Sequence, residues 1–507
     1  MHPAWIVTLR DDVALTSQPE GQIGISCPYG RLMLRKLPGG FGDVIRRLAR
    51  PGETWARLHE AVCALGLKNP VARLFYYLQY LSKRGYLIVS ANDSGRPLAT
   101  LDPTAFSFDL PRETALDGRF VLSRFAYLRE AHGNAVLETP RSASRIVLHD
   151  DRLAGFVASL MRPFHVADAA SVGAEAGSFR HEGLPPNAVS QFLNLLSAAG
   201  MLAHVDSAGV SEEDADPALA TWEFHDLLFH SRSRRGRHDL ASGATFRFLG
   251  KTDPPPAVAP PSSFPSSSFG TRTLPLERPD LARLAESDPS FASVVENRES
   301  CREFAVQPIT AAQLGEFLYR VGRIRETFEM DAGAEQAEFT MEFTSRPYPA
   351  GGGLYELEIY PLVVRCDDLD AGLYHYDALH HRLEPVSELT DAARQLLWEA
   401  CESTGVEYEQ AQVLFILSAR FPRIAWKYAA IAYALILKHV GVLYQTMYLT
   451  ATAMGLGGCA IGLGDADAFS EAIGSNYYAE TSVGEFLLGT KESKVGKSKV
   501  EGRDPER

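Results

Sequence analysis

The sequence predicts an α+β chain in which two small helix–strand modules precede one larger domain. Three observations predict it. The first half carries a degenerate internal repeat, the second half alternates helical and strand patterns, and a Pro/Ser-rich stretch separates the halves. The chain has 507 residues, enough for about three domains at roughly 150 residues each.

The repeat pairs Leu78-Gln-Tyr-Leu81-Ser82-Lys-Arg-Gly85-Tyr-Leu87 with Leu193-Asn-Leu-Leu196-Ser197-Ala-Ala-Gly200-Met-Leu202, at an offset of 115 residues. Upstream, Leu48-Ala-Arg50-Pro51 matches Leu160-Met-Arg162-Pro163 at an offset of 112. Each copy reads as a short apolar strand (Leu32–Leu37; Ile146–His149) followed by helices that stop at Gly85 or Gly200. A glycine just past a helix is the usual left-handed cap. A second strand follows (Tyr86–Val89; Met201–Val205), and Trp5–Leu9 with Gly24–Cys27 could complete a small sheet in the first copy. The pattern predicts winged-helix-like modules over residues 1–100 and 115–215. Such modules bind DNA, bind an extended peptide at a sheet edge, or serve a structural role. The candidate recognition helices carry few positive charges, which favours peptide.

Residues 216–272 read as a bridge and linker. They include Trp222-Glu-Phe-His-Asp-Leu-Leu-Phe-His230 and a basic run to His238, which reads as an anion site or a solvated arm. The Pro254–Ser268 stretch cannot build a packed core and reads as an extended linker. The larger domain spans residues 273–490, with a capping box at Thr310-Ala-Ala-Gln313 opening a helix through Val321. Apolar strands are predicted at Glu358–Val364 and Val413–Leu417. The polar tail, residues 491–507, is expected to be disordered.

Composition narrows the function classes. The net charge of −13 argues against broad nucleic-acid binding, which relies on cationic surface. Six cysteines show no CxxC pair and no zinc-ligand spacing, so no metal site is expected and the thiols read as reduced. Met1-His-Pro-Ala-Trp-Ile lacks a basic region followed by a long apolar one, so no signal peptide is expected. The most apolar segment, Tyr428–Leu437, is interrupted by Lys438 and His439 short of a bilayer span. A cytoplasmic protein without membrane partners is expected.

Three segments carry chemistry. In Asn297-Arg298-Glu299-Ser300-Cys301-Arg302, an extended backbone would put Arg298, Ser300 and Arg302 on one face. Two guanidinium forks beside a hydroxyl suit a phosphate. In Ser345-Arg346-Pro-Tyr-Pro349-Ala350-Gly351-Gly352-Gly353-Leu-Tyr355, prolines and glycines let the backbone lie against a flat ligand. In Arg423–Gly462, Lys427 and Tyr428 read as the opening of a long buried helix, about 100° apart on its surface. A glycine-rich loop, Leu456–Gly462, closes it. A lysine beside a tyrosine can favour phenolate, and a phenolate is a usable general base.

In this order and spacing the three segments resemble the flavin-dependent nitroreductase fold, and most of all its SagB-type, azoline-oxidising branch, with the cyanobactin oxidases of the ThcOx type as the nearest likeness. Arg298-x-Ser300-x-Arg302 resembles the pattern that grips the FMN phosphate. Arg346–Tyr355 resembles the branch's RPYPSGG-Leu-Tyr segment, with Ala350 in place of its serine. Lys427-Tyr428 resembles its Lys-Tyr pair, and Leu456–Gly462 resembles the loop beside the flavin. The resemblance covers roughly residues 222–489.

It implies a central, mainly antiparallel sheet with flanking helices. It also implies FMN as cofactor, an azoline-containing precursor peptide as substrate, and a homodimer with a shared site. One chain would supply Arg298, Glu299, Ser300, Arg302 and Ala460, Ile461, Gly462, Leu463; the other would supply Pro349, Ala350, Gly351 and Gly353. Gln445 and Tyr355 stand open between flavin contact and core, and Lys491 is the one candidate for a C-terminal phosphate contact. The implied reaction is oxidation of a peptide thiazoline or oxazoline to the azole. Lys427 or Tyr428 would take the α proton, a hydride would go to flavin N5, and oxygen would reoxidise the flavin. An NAD(P)H-dependent nitro- or quinone reductase is the rival enzyme, and a peptide-binding scaffold with a vestigial flavin domain is the rival outside catalysis.

Overall fold

The computed structural model describes residues 2–17, 22–27, 30–105, 108–114, 116–170, 184–241, 243–259, 273–331 and 339–491. Most of the Pro/Ser-rich stretch and the tail beyond Lys491 lie outside the described residues. The chain divides into two compact units, Met1–Leu240 and Ala241–Arg507.

In the first unit the repeat is physical. Strand Ile6–Leu9 lies between Glu53–Thr54 and Leu87–Asp93, antiparallel to both. Strand Arg119–Leu122 lies likewise between Phe164–His165 and Leu202–Val205. Equivalent hydrogen bonds hold the two copies. Leu9 N–H donates to Leu48 O at 2.8 Å and Leu122 N–H to Leu160 O at 2.7 Å. The helices Pro70–Ser82 and Pro186–Ala198 end at left-handed Gly85 and Gly200, with φ of 68° and 66°. Past each glycine an amide reaches back five residues, Tyr86 to Leu81 O at 3.1 Å and Met201 to Leu196 O at 2.9 Å. This is the glycine cap read from the sequence.

The strands that open each copy were misplaced. Ser144–Leu148 pairs with Arg96–Pro103 and Asn134–Glu138, away from the second copy's small sheet. The opening strand there is Arg119–Leu122, four residues that are too short to register as a pattern. In the first copy, Gly30–Leu34 and Ile23–Cys27 join Ala14–Ser17 in a separate three-stranded meander. A seven-stranded sheet runs from Glu53–Thr54 to Tyr127–Ala131 and includes strands from both of the expected modules. Pairing Arg96–Pro103 onto Leu87–Asp93 covers what would otherwise be an open sheet edge. In the bridge segment, Arg232 binds the Tyr127 hydroxyl at 2.8 Å and Arg237 the Pro140 carbonyl at 3.1 Å, while Arg234 and Arg235 are exposed.

The second unit is a seven-stranded sheet with helices on both faces. Its order is Leu274–Pro275, Arg382–Ser387, Gly372–Asp377, Leu357–Val363, Val413–Arg420, Glu480–Thr490, Leu456–Ile461, with every pair antiparallel. Strand alternation sorts the core. Val413, Phe415 and Leu417 pack with the helices Ala311–Gly322 and Ala432–Ala453. Leu414 and Ile416 pack with the helices Asp391–Thr404 and Ala466–Ile473. The Thr310–Gln313 capping box is present, with Thr310 Oγ1 accepting from Gln313 N–H at 3.1 Å and Gln313 Oε1 from Thr310 N–H at 3.0 Å. Among the described residues no helix is long and apolar enough to cross a membrane, and no acidic, histidine or cysteine cluster has metal-holding geometry.

Two expectations about the key segment are corrected. Lys427 and Tyr428 do not open the long helix. Helix Phe421–Lys427 ends there, Tyr428–Ala429 pairs with Gly243–Ala244, and Ala430 is left-handed at φ 49° before helix Ala432–Ala453 begins. The cause is an incoming strap. Thr245 and Phe246 both donate N–H to the Lys427 carbonyl, at 2.9 and 3.1 Å, which takes that oxygen out of the helical ladder. The glycine-rich segment is likewise an edge strand, Leu456–Ile461. Its glycines answer to packing, since a Cβ on Gly458 would lie 2.4 Å from the Phe486 ring and one on Gly457 2.6 Å from Cys301 Sγ. The free loop starts at Gly462.

Candidate active site

The Lys427–Tyr428 step is fixed from three sides. From its own helix and the residue that caps it, Arg420, Arg423 and Trp426 follow at intervals of three. Arg420 Nη1 and Nη2 donate to Pro256 O and Ala257 O at 2.9 Å each, Arg423 donates to Pro255 O, and Trp426 Nε1 donates to Thr252 O at 3.1 Å. The strap read as part of a linker is thus pinned over this helix by its carbonyls. Arg423, almost wholly buried, also donates to Leu354 O at 3.0 Å and Glu342 O at 2.7 Å.

The second side is aromatic. The Lys427 ammonium lies 5.8 Å from the Phe246 ring centroid, 5.5 Å from Phe343 and 5.6 Å from Tyr428. Phe246 itself is left-handed, at φ 48°. Strained backbone of this kind persists only where the surroundings impose it. Burial, and then the Arg423 charge, lower the Lys427 pKa below the ordinary lysine value. Burial raises the Tyr428 phenol. Burial thus works against the expected Lys427-stabilised phenolate, and at Lys427 it loosens the amine's proton.

The third side is the turn Gly351–Gly353. Gly352 is at φ 65°, and a Cβ there would lie 2.4 Å from the Tyr428 hydroxyl and 2.9 Å from Lys427 Nζ. Only glycine lets this backbone come so close. Two segments that are 75 residues apart, Gly352 and Lys427, therefore meet within one chain. Gly351 N–H donates to His439 Nε2 at 2.7 Å, and His439 Nδ1 meets Glu356 Oε1 at 2.7 Å. Sequence reasoning missed both residues. The available signal was a histidine in the middle of an apolar helix, noted only as an interruption. Tyr355 lies in the core beneath the turn, left-handed at φ 46° and packed edge-on against Tyr348 at 5.4 Å.

The phosphate-clamp residues form a second cluster. Cys301 N–H donates to Gly458 O at 2.8 Å, which lays residues 298–302 alongside the edge strand as an extended segment. Tyr448, also missed, joins the parts. Its hydroxyl accepts from Ala460 N–H at 2.8 Å and meets Ser300 Oγ at 2.9 Å, while the Arg298 guanidinium stands 5.2 Å from its ring centroid. Arg302, Gly462, Leu463 and Gln445 are exposed, and a Cβ on Gly462 would meet nothing within 4 Å. Two arginines, a hydroxyl and an open glycine backbone fit an anionic group with a flat ring system. The Ile461 side chain is core, and its carbonyl accepts from the Tyr444 hydroxyl at 3.2 Å. Lys491 Nζ lies 3.3 Å from Glu299 Oε1.

The two clusters lie apart. His439 and Tyr448 are nine residues apart on one helix, about 13 Å along its axis.

Residues 295–489 match the nitroreductase family model. These residues of the second unit have a nitroreductase-like fold. Residues 120–239 match the model described as cyanobactin oxidase ThcOx, the type of enzyme that the motifs of residues 222–489 resemble. A protein named as a nitroreductase from Methanocaldococcus jannaschii is 24% identical over 190 residues, 38% of this chain and 84% of its own. The microcin B17-processing protein McbC of Escherichia coli is 31% identical over 117 residues, 22% of this chain and 42% of its own, so that match spans less than half of McbC. Among solved structures, a protein named as a nitroreductase from Ralstonia eutropha JMP134 aligns with a TM-score of 0.34 and 20% identity, covering 50% of this chain and all of that one. The E. coli microcin synthetase McbBCD complex with truncated pro-MccB17 aligns at 0.30 and 17%, covering 50% of this chain and 88% of that one.

Proposed function

We propose that this protein oxidises thiazoline or oxazoline rings in a ribosomally made peptide to the aromatic azoles, with FMN as cofactor. The observation that carries the reading is the Lys427–Tyr428 step, held against a glycine turn in an aromatic setting that loosens the lysine's proton. The cyanobactin-oxidase segment and the likeness to McbC support the substrate class.

FMN, when bound, supplies hydride acceptance. Arg298, Ser300 and Arg302 would hold its phosphate, Ala460–Leu463 its ring from one side, and Pro349–Gly353 from the other. The chain's own residues supply the proton chemistry. Lys427, neutral at lower pH than a free lysine, would take the ring's α proton at Nζ. Tyr428, kept as a phenol by burial, would donate its hydroxyl hydrogen to the ring or hold Lys427 in place. Phe246 and Phe343 keep water from the amine. Each ring loses one proton and one hydride, and oxygen would regenerate the cofactor.

Separation of the two clusters along one helix supports a homodimer in which each site draws on both chains. Tyr433 and Leu437, four residues apart on that helix and exposed, would lie in the shared surface. The N-terminal repeats would bind the precursor peptide, as winged-helix-like modules without DNA contact.

The test is mass spectrometry of a thiazoline peptide after incubation in air with flavin-loaded protein. Loss of two hydrogens per ring is expected, and Lys427→Ala and Tyr428→Phe should lose turnover while retaining flavin. Normal turnover in both variants would remove the assignment. The likeness to a protein named as a nitroreductase favours a second reading, an NAD(P)H-dependent reductase; an unchanged peptide mass with rapid flavin reduction by NADH would select it.

A further inference from the structure

Glu356 and His439 are a buried pair that the proposed chemistry leaves unused. Glu356 is fully buried and His439 is 5% exposed. The polarity of their contacts is fixed by one fact. Gly351 presents a backbone N–H to His439 Nε2 at 2.7 Å, and a backbone N–H can only donate. Nε2 therefore carries the lone pair, Nδ1 carries the proton, and Nδ1–H donates to Glu356 Oε1 at 2.7 Å. The chain of contacts runs carboxylate, imidazole, then the amide that opens the Gly351–Gly353 turn.

That turn is the one packed on the reactive pair. Gly352 sits left-handed against the Tyr428 hydroxyl and Lys427 Nζ. The turn's far end is held separately, by Arg423 Nε on Leu354 O at 3.0 Å and by Arg420 N–H on Glu356 O at 3.0 Å. Among the described residues its near end has one side-chain hydrogen-bond partner, His439, beside the turn's own Gly353 N–H to Ala350 O bond at 3.1 Å.

We propose that Glu356 and His439 are positioning residues that set the distance between the Gly351–Gly353 turn and the Lys427–Tyr428 pair. This rests on the reading that Lys427 and Tyr428 carry the proton chemistry. A pair that merely filled the core would change stability, not turnover per folded molecule.

The test uses the full-length, flavin-loaded protein with four variants. His439→Phe removes the acceptor for Gly351 N–H. His439→Asn keeps the donor toward Glu356 but is too short to reach Gly351. His439→Gln restores an acceptor at similar reach. Glu356→Gln keeps an oxygen for Nδ1–H. In the Phe and Asn variants kcat on a thiazoline peptide should fall roughly tenfold or more, with KM within about twofold and flavin occupancy unchanged. Both Gln variants should keep most of kcat. Amide hydrogen exchange across residues 350–355, read with or without flavin, should speed up in the Phe and Asn variants alone. Wild-type kcat in the Asn variant, or unchanged Gly351 protection in it, would overturn the proposal, even if the Phe variant fails to fold. A wild-type protein that leaves thiazolines unoxidised would sink the functional reading separately, since exchange at Gly351 still reports the clamp.

Discussion

Replacing Gly352 by alanine probes the closest approach in the candidate site. Two costs follow from the structure. The first is conformational: φ of 65° costs an L-residue about 1–2 kcal/mol. The second is steric. The new Cβ would lie 2.4 Å from the Tyr428 hydroxyl and 2.9 Å from Lys427 Nζ, where an ordinary contact needs roughly 3.5 Å. Either the turn or the reactive pair must yield by about 1 Å. Misplacement of that size costs on the order of a hundredfold in rate. Gly405→Ala is the control, since Gly405 sits at φ 74° past a helix end with nothing within 4 Å of its Cβ position. Both variants should lose a few degrees of melting temperature. Only Gly352→Ala should lose turnover on a thiazoline peptide, by roughly a hundredfold. Equal turnover in the two variants would refute the argument that the turn and the pair act as one site.

Tyr448→Phe removes the hydroxyl that joins Ser300 to the Ala460 amide, so FMN affinity should weaken roughly tenfold in a fluorescence titration; unchanged affinity would detach this cluster from cofactor binding. Burial alone would lower the His375 pKa, but hydrogen bonds to Glu358 and Glu384 raise it from 6.5 to about 9. Its stabilisation is therefore complete below pH 6.5 and lost as pH climbs through about 9, on the order of 3 kcal/mol. His375→Gln should flatten that alkaline decline in denaturant melts, and an unaltered decline would assign it elsewhere. Burial raises the Glu485 carboxyl from 4.5 to about 7, against a hydrogen bond from Ser482 that lowers it. Ionising it in the folded state is unfavourable, so wild-type stability falls as pH rises from 4.5 to 7. Glu485→Gln should then melt higher than wild type at pH 8 and level with it at pH 4; a lower melt at pH 8 would show that the charge is satisfied.

Local rules carried much of the reading. The glycine caps at Gly85 and Gly200, the capping box at Thr310 and the strands around Leu357–Val363 and Val413–Arg420 all follow from spacing within a few residues. The three motifs marked the parts of the candidate site because arginine forks, glycine turns and a Lys-Tyr pair are visible as residue types. What they could not reveal was how the parts group. The sequence by itself determined the repeat, the layered α+β domain and the residues able to do chemistry. Tertiary structure alone decided that Lys427 ends a helix instead of opening one, because amides from Thr245 and Phe246 claim its carbonyl. It alone decided that burial raises the Tyr428 phenol, since desolvation depends on packing from segments distant in the chain. His439, Glu356 and Tyr448 stayed hidden for the same reason: each gains its role from a backbone amide or hydroxyl brought in by another element, and no local pattern records which amide that will be.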